Sequence, residues 1–566
     1  MTEPVLLILL PLAGSLLALV GKLVPARRLF TALALAPLAA MGVVIAAQLP
    51  LLLGGRTLRY ALGGYQEGPG IALVLDGPAW IASALIVLIS ALVALSSLGH
   101  AKFDLRYFFF LLVMVAGMEA VVLTGDIFTM FVAFEIVALS AYVLIAWERS
   151  DEGLLASLKY LFLSSVGILF FLLGIFIVYR DLGTLSLSGA AARIAELSNS
   201  FDKPESIRVL GITIPIAVAA LCVGVGVRTA FIPFHTWLPE AHAWAPHPVS
   251  ALLSGVLIKI SFFAMFRILG FFGTTHVFPM LVWLGAITAL VAVGWALAQT
   301  DAKRLLAYHS ISQMGYVLAA AASASAYAVP AAYSHAINHA LFKSLLFLAV
   351  GHAVHLTGER DLFRIGPLGR RSPLVAAALV FGALAIAGVP PFNGFVSKQL
   401  ISSALYGSPA YTLLWLTAVG TTASFIKLSR IALPGKRRIA TVDAVPRDRV
   451  SLWTALPLVV LSVLVVAAGL GGTRYTQFVW RMAAGPGASQ TAASVPTFFA
   501  PEALTDSALI AVLGVATYLV VMTPPGKRVA HRLRRIAPRL RTVLIFFVFG
   551  LALFATSGFW HALFAT

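Results

Sequence analysis

His335, His339 and Lys343 fall at i, i+4 and i+8 of one apolar stretch. On a helix they form a single stripe about 12 Å long, at 1.5 Å rise per residue. Imidazole titrates near neutrality, so a His–His–Lys ladder is suited to handing on protons. Two histidines at i, i+4 could also ligate a metal, but no acidic or cysteine ligand accompanies them and no metal is expected. His335 lies near the end of its stretch, where simple solvation is the competing explanation. Other ionisable groups interrupt apolar runs at Glu119, Glu135, Arg228, Lys259 and Lys398, with Lys427 close to a run's end. An ionised group in mid-bilayer costs at least about 2.5–3.5 kcal/mol, which makes each one a functional candidate. Glu135 is expected to pair with a buried cation. A lysine held out of water, such as Lys259, can load and release a proton.

Two backbone interruptions lie beside these residues. Pro233 and Pro239 break the run that carries Arg228, and Pro390 and Pro391 break the run that carries Lys398. Proline removes the N–H that a helix needs. Broken backbone at membrane depth survives only where it is buried or lines a wet cavity. Pro233-Phe234-His235-Thr236-Trp237 resembles Pro391-Phe392-Asn393-Gly394-Phe395. The two breaks are five spans apart, so the units around them would face opposite sides, as in transporters built from inverted repeats.

The elements that position these residues follow from composition. Of the 566 residues 60% are hydrophobic and only 11% are charged, against about 25% charged in a soluble domain. Mean hydropathy is +0.96. Runs of about 20 apolar residues recur throughout, the length that spans a hydrocarbon core. A soluble enzyme is excluded, and so is a β-barrel, whose segments would be about 10 residues long and alternating. Sixteen spans are predicted, near 4–22, 29–49, 72–98, 106–124, 126–147, 156–180, 210–231, 248–270, 277–299, 304–326, 330–355, 374–406, 411–431, 452–472, 506–522 and 541–562. Residues 188–198 read as a short interfacial helix. The first span lacks a basic flank and a cleavage site, and is read as retained.

Loop charge sets the orientation. With both termini outside, the inner loops hold about two dozen Lys and Arg and the outer loops eight, the asymmetry expected of cytoplasmic loops. The net charge of +18 therefore reports anionic lipid at the inner surface, not nucleic acid. The basic loop 523–541 is the strongest such anchor. Cys222 is the single cysteine. It cannot hold an iron–sulfur cluster or a structural zinc, and no haem, dinucleotide or P-loop motif is present. No cofactor is expected in this chain.

Five segments then carry a resemblance. They are Val-Leu-Thr-Gly-Asp-Ile-Phe-Thr-Met-Phe-Val-Ala-Phe-Glu (122–135), Phe-His-Thr-Trp-Leu-Pro-Glu-Ala-His (234–242), Pro-Val-Ser-Ala-Leu-Leu-Ser-Gly-Val-Leu-Ile-Lys (248–259), Thr-Asp-Ala-Lys-Arg-Leu-Leu-Ala-Tyr-His-Ser-Ile-Ser-Gln-Met-Gly-Tyr (300–316) and His-Ala-Leu-Phe-Lys-Ser-Leu-Leu-Phe (339–347). In this order they resemble the antiporter-like subunit family. That family comprises the membrane-arm subunits L, M and N of complex I, the membrane subunits of membrane-bound hydrogenase and formate hydrogenlyase, and the large subunits (A and D) of Mrp cation/proton antiporters.

The resemblance implies an all-α polytopic protein with a fourteen-helix core and about two extra C-terminal spans. Spans 1–3 (1–105) precede two inverted five-helix repeats (106–270 and 271–431), and the C-terminal spans fill 432–566. It implies a proton path through Glu135, Arg228, Lys259, His339, Lys343 and Lys398, to which the helical stripe adds His335. Glu119, Asp126 and Lys303 are auxiliary candidates. The family usually has lysine at the position of Arg228. Arginine stays protonated in proteins, so here it would act as a fixed counter-charge to Glu135, with proton loading shifted to Lys259.

Three functions remain open at this point. The first is proton translocation within a redox-driven complex, with other membrane subunits and redox subunits as partners. The second is Na+/H+ exchange in an Mrp-like assembly. The third is a scaffold, or a solute-uptake subunit with a modified path. In each, the chain is a multi-pass protein of a prokaryotic plasma or inner membrane.

Overall fold

The computed structural model describes residues 3–21, 27–64, 71–100, 102–200, 203–273, 277–369, 371–433, 450–484, 495–536, 545 and 552. Among these, eleven helices are long and apolar enough to cross a membrane. The protein is an integral multi-pass helical protein.

The first half contains α1 (Leu6–Val20), α2 (Arg27–Leu53), α3 (Gly77–Leu98), α4 (Leu105–Leu123), α5 (Ile127–Ile145) and α6 (Asp151–Leu182). The predicted interfacial helix is α7 (Leu187–Ser198), which buries Leu187, Ala190 and Leu197. Then come α8 (Pro204–Arg208) and α9 (Ile214–Thr229), α10 (Leu238–Trp244), α11 (His247–Leu252) and α12 (Ile258–Phe271). The second half has α13 (Phe278–Ala298), α14 (Ala302–Ala321), α15 (Ala328–Thr357), α16 (Pro373–Ala387), α17 (Asn393–Leu405) and α18 (Pro409–Ser429). The chain continues through α19 (Leu452–Leu470), α20 (Gly472–Ala484), α21 (Pro501–Met522) and α22 (Pro524–Arg535). The sixteenth predicted span, 541–562, lies outside the described residues apart from 545 and 552.

Short polar residues set the helix starts. Asp76, Asp104, Asp126 and Asp301 each accept an N–H from the first turn of the helix that follows, which satisfies donors that otherwise have no partner. The cap at Asp76 also explains a departure from the predicted span 72–98. Residues before the cap form a strand, β2 (Ala72–Leu75), paired antiparallel with β1 (Leu58–Ala61) in the register Leu58 to Leu75. The bundle is all-α, with this small two-stranded ribbon at one end. The basic segment expected as a loop at 523–541 is helical over Pro524–Arg535, capped by Thr523.

Two predicted spans fall short of a simple hydropathy test for a physical reason. In α14, the residues His309, Ser310, Ser312 and Gln313 are all buried. In α18, Thr417, Thr421, Ser424 and Lys427 are buried. Their polar groups face the bundle interior instead of lipid. The central helix is α15, in which every residue from Asn338 to Ala353 is buried, as expected of a helix enclosed on all sides. Small residues let backbones touch: a Cβ on Gly285 of α13 would stand 2.6 Å from the carbonyl oxygen of Gly315 in α14, the close approach typical of membrane helix pairs.

The two proline breaks are built alike. After α9, Ala230 takes a left-handed conformation (φ 59°), followed by a cis bond at Ile232–Pro233. After α16, Gly388 is left-handed (φ 82°), followed by a cis bond at Pro390–Pro391. A third irregularity, the π-helical turn Leu253–Leu257, joins α11 to α12. Such turns shift the side-chain register and concentrate at functional sites. The residue that follows this one closely is Lys259.

Candidate functional site: a buried polar axis

The expected partner of Glu135 is Arg228. The guanidinium Nη2 donates to Glu135 Oε1 at 2.7 Å, and Nη1 donates to the carbonyl of Phe134 at 3.2 Å. Its charge also stands 5.0 Å from the centre of the Phe134 ring. Arg228 is 3% exposed and Glu135 is 44% exposed. The carboxylate is therefore not enclosed by this chain. It opens on a lateral face of α5, where Phe128, Val132, Ile136 and Leu139 are also exposed.

Five lysines line the interior, and each donates to main-chain carbonyls. Lys259 Nζ donates to Ser254 O, Lys343 Nζ to Leu306 O and Lys303 Nζ to Ala245 O. Lys398 Nζ donates to Ile386 O at 2.7 Å and Ala387 O at 3.2 Å. Lys427 Nζ donates to Leu297 O at 2.6 Å and Gln299 O at 2.7 Å. Among the described residues none of the five forms an ion pair. Several of these carbonyls end helices: α10 for Lys303, α16 for Lys398 and α13 for Lys427. Free carbonyls there carry the negative pole of the helix dipole and favour a cation. A carbonyl accepts more strongly from an ammonium than from an amine, but it can accept from either, so these contacts hold each lysine in place in both protonation states. A carboxylate partner would instead hold the charged form.

Lys259 and Lys343 are bridged. Ser254 Oγ and Ser310 Oγ lie 2.7 Å apart, and Ser310 Oγ donates to Leu306 O at 3.1 Å. Leu306 O is also the acceptor of Lys343, and Ser254 O is the acceptor of Lys259. One pair of hydroxyls thus joins the bonding partners of both lysines. On α15 the predicted stripe is intact. His335, His339 and Lys343 are all fully buried, so simple solvation of His335 does not occur. The two imidazoles stack at 6.4 Å with planes 8° apart. His335 Nδ1 meets Ser397 Oγ at 2.9 Å and Nε2 meets Gln313 Oε1 at 3.0 Å. Ser397 is the residue before Lys398, which carries the line onto α17.

Two histidines absent from the sequence-derived candidates stand among these lysines. His242 and His309 are fully buried, and neither ring nitrogen of either has a partner. His242 lies within electrostatic reach of Lys343, Lys303 and Lys259. His309 lies within reach of Lys343, Lys427 and Lys398. Both nitrogens of His339 are likewise unpartnered. Buried polar atoms of this kind call for water or a transferable proton. Both histidines stand within the family-like segments, and the polar content of 300–316 was a usable signal for His309. Nothing in the sequence marked Ser254 and Ser310 as neighbours.

At the end of the bundle where α15 terminates, four imidazoles gather. His100 lies 4.8 Å from His247 and 5.2 Å from His355 between ring centres, and His352 lies 6.5 Å from His355. Burial pushes the His100 imidazole down to about 4, and the nearby His355, Lys102 and His352 push the same way. Among the described residues no three His, Cys, Asp or Glu side chains converge on a metal position.

Two of the three auxiliary candidates stand apart. Asp126 caps α5, accepting from Thr129 N at 2.6 Å, and is bound to that structural task. Glu119 is fully buried between α4 and α3, where Ser83 Oγ donates to its Oε2 at 2.6 Å. The axis does not include it. Lys303 does join the axis, through His242.

A polytopic helical protein with an interior row of lysines and histidines beside two broken helices is a membrane subunit of the ion-translocating kind. The comparisons with known proteins make the class specific. The family described as NADH:quinone oxidoreductase/Mrp antiporter, transmembrane, matches residues 124–426, and the chain belongs to it. It is 31% identical to the NADH-quinone oxidoreductase subunit N of Desulforudis audaxviator, over 82% of this chain and 95% of that one. It is 29% identical to the D-type subunit of the Na(+)/H(+) antiporter of Alkalihalophilus pseudofirmus, over 81% and 92% of the two chains. In three dimensions it resembles a chain of the membrane-bound sulfane sulfur reductase, an archaeal respiratory membrane complex. The TM-score there is 0.76 at 25% identity, covering 90% of this chain and 99% of that one.

Proposed function

We propose that this chain is the proton-translocating membrane subunit of a multi-subunit, energy-transducing complex. The single observation that carries the reading is the row of buried lysines bonded to main-chain carbonyls instead of carboxylates, linked by hydroxyls and imidazoles. A proton loaded near Lys303 and His242 passes to Lys259 and Lys343. It moves along His339 and His335 and reaches Lys398. Arg228 stays charged throughout as the counter-charge of Glu135, and in this reading opening or closing that pair is the gate of the path.

The half-open Glu135 on an apolar lateral face supports a neighbouring membrane subunit as its cover. A movement of that neighbour would open the pair. In this reading the two broken helices belong to inverted repeats, 106–270 and 271–431. Both termini lie outside the plasma or inner membrane, and the basic inner surface, including α22, rests on anionic lipid. Redox groups, where the driver is redox, sit on partner subunits, and this chain carries no cofactor.

A second reading, Na+/H+ exchange, is favoured by the likeness to the Na(+)/H(+) antiporter chain. Gentle purification from native membranes, with mass spectrometry of what co-purifies, separates the two. Iron–sulfur, flavin or nickel–iron subunits support the redox-driven pump. Small membrane subunits alone support the exchanger. Absence of any pH change on energising the reconstituted complex overturns both in favour of a scaffold or solute-uptake subunit.

A further inference from the structure

α21 lies outside the residues matched by the family, yet it closes a wall of the site. A cavity of about 40 Å³ is lined by Lys398 of α17, Tyr316 of α14, Tyr411 of α18, and Asp506 and Ser507 of α21, with Ser402 beside them. That is room for water, which needs about 10–15 Å³ of such volume per molecule.

The helix is tied to this place. Ser507 Oγ donates to the carbonyl of Gly388, within the α16–α17 break, at 3.3 Å. Trp415 Nε1 of α18 donates to Asp506 Oδ1 at 2.8 Å. A Cβ on Gly514, the buried residue of α21, would stand 2.6 Å from a methyl of Thr422. Asp506 is thus held by a neighbour's indole on the wall of the cavity that Lys398 enters.

The direction of the cavity follows from the elements. Lys398 lies seven residues before the end of α17, about 10 Å along its axis. Leu405, Pro409 and Pro501 end or begin their helices at the same end of the bundle as Asp506. By the loop-charge bias that end faces outside.

We propose that Asp506 is the outlet carboxylate of the axis: it takes the proton from Lys398 through water in this cavity and releases it to the outside. The step balances simply. The Lys398 ammonium loses one proton to become an amine, and the Asp506 carboxylate gains it to become the acid. Release to bulk water then restores the carboxylate. Lys398, Tyr316 and Tyr411 are the titratable groups facing the cavity from the other elements. The Tyr316 hydroxyl is committed to the carbonyl of Leu414 at 2.5 Å, and a tyrosine such as Tyr411 is a far weaker acid than a carboxylic acid, which leaves Asp506 as the carboxylate on this wall. The proposal rests on the translocation reading above.

The test uses the whole complex in proteoliposomes, with proton movement read by an internal pH dye under the driver identified by co-purification. Asp506→Asn keeps an oxygen for Trp415 but cannot take the proton. It is expected to slow transport by about tenfold or more, with Asp506→Glu restoring most of it. Lys398→Ala is the control for the underlying reading. Transport lost in Lys398→Ala but unchanged in Asp506→Asn overturns the outlet and leaves the reading intact. Transport unchanged in both overturns the reading, and the outlet with it. Thiol access gives a measurement independent of the Asp506 variants. The native chain's one cysteine, Cys222, is buried, so Ser402→Cys can be probed cleanly. Labelling by a membrane-impermeant charged thiol reagent from the outer side only, with transport blocked, supports the outlet. Labelling from the inner side only, or none, overturns it.

Discussion

Arg228 and Glu135 form an ion pair of unequal burial: the guanidinium is 3% exposed, the carboxylate 44%, and they meet at 2.7 Å. The buried partner is thus the one that cannot lose its proton. Removing it would leave Glu135 without its cation and take away the fixed half of the proposed gate. Arg228→Lys is expected to retain coupled transport, and Arg228→Ala to abolish it in complexes that still assemble. Proton movement in vesicles, with assembly checked by co-purification, decides this. Normal transport by the alanine variant would sink the role given to the pair.

The lysines on the axis carry the second prediction. Lys259→Ala or Lys398→Ala should stop translocation while leaving the chain in its complex, because each removes a proton carrier and no ion-pair partner is stranded. Vesicle pH measurements on each variant give the answer, and intact pumping in either one refutes the path.

The hydroxyl bridge between Ser254 and Ser310, 2.7 Å apart, makes a coupled prediction. Each serine-to-alanine change alone should slow transport, and the double variant should be little worse than either single one, since one bridge is broken once. Fully additive losses would show that the two hydroxyls act separately.

His100 offers a pH test outside the membrane-spanning segments. Its imidazole is held near 4 in the folded protein against 6.5 in an ordinary setting. The unfolded state therefore binds its proton first as pH falls. The stabilising contribution is complete above about 6.5 and is lost as pH falls toward 4. Its neighbours His247, His355, His352 and Lys102 would repel a proton placed there. Amide hydrogen exchange around residues 96–104 is expected to accelerate across that window, and His100→Gln should flatten the dependence.

Packing at the second break gives a structural prediction. A Cβ on Gly394 would stand 1.8 Å from the carbonyl oxygen of Ala385. Gly394→Ala must push α17 away from the end of α16, at a cost of about 1–3 kcal/mol or more. A lower thermal midpoint in detergent, together with weakened transport, is the expected result. Unchanged stability would contradict the close approach.

Much of the candidate site was legible in the chain's residues alone. An ionisable side chain in an apolar run is costly, so Glu135, Arg228, Lys259, His335, His339, Lys343 and Lys398 announced themselves by composition. Proline marked both breaks by the missing N–H. Hydrophobic run length placed the helices, and the short helix expected at 188–198 is present as Leu187–Ser198. The hairpin at 58–75 was less visible, because a short apolar strand running into a helix reads as one continuous span.

What tertiary structure decided was which groups face one another. Hydropathy counts a residue's own side chain but not its partners, so nothing in it marked Asp126, an auxiliary candidate, as the cap of α5. Ser254 and Ser310 are ordinary serines 56 positions apart, and only the packing of the π-helical turn against α14 puts their hydroxyls in contact. His242 and His309 became part of the axis by standing between lysines from other helices. Asp506 is the clearest case. It sits near the start of a helix that looked like an appendage, and its place on the wall of the Lys398 cavity depends on α21 folding back against α18. The sequence determined the spans, the breaks and the buried charges, because each is a local cost of placing a side chain in hydrocarbon. The order in which those charges connect is a property of distances between helices, and no single stretch of chain encodes it.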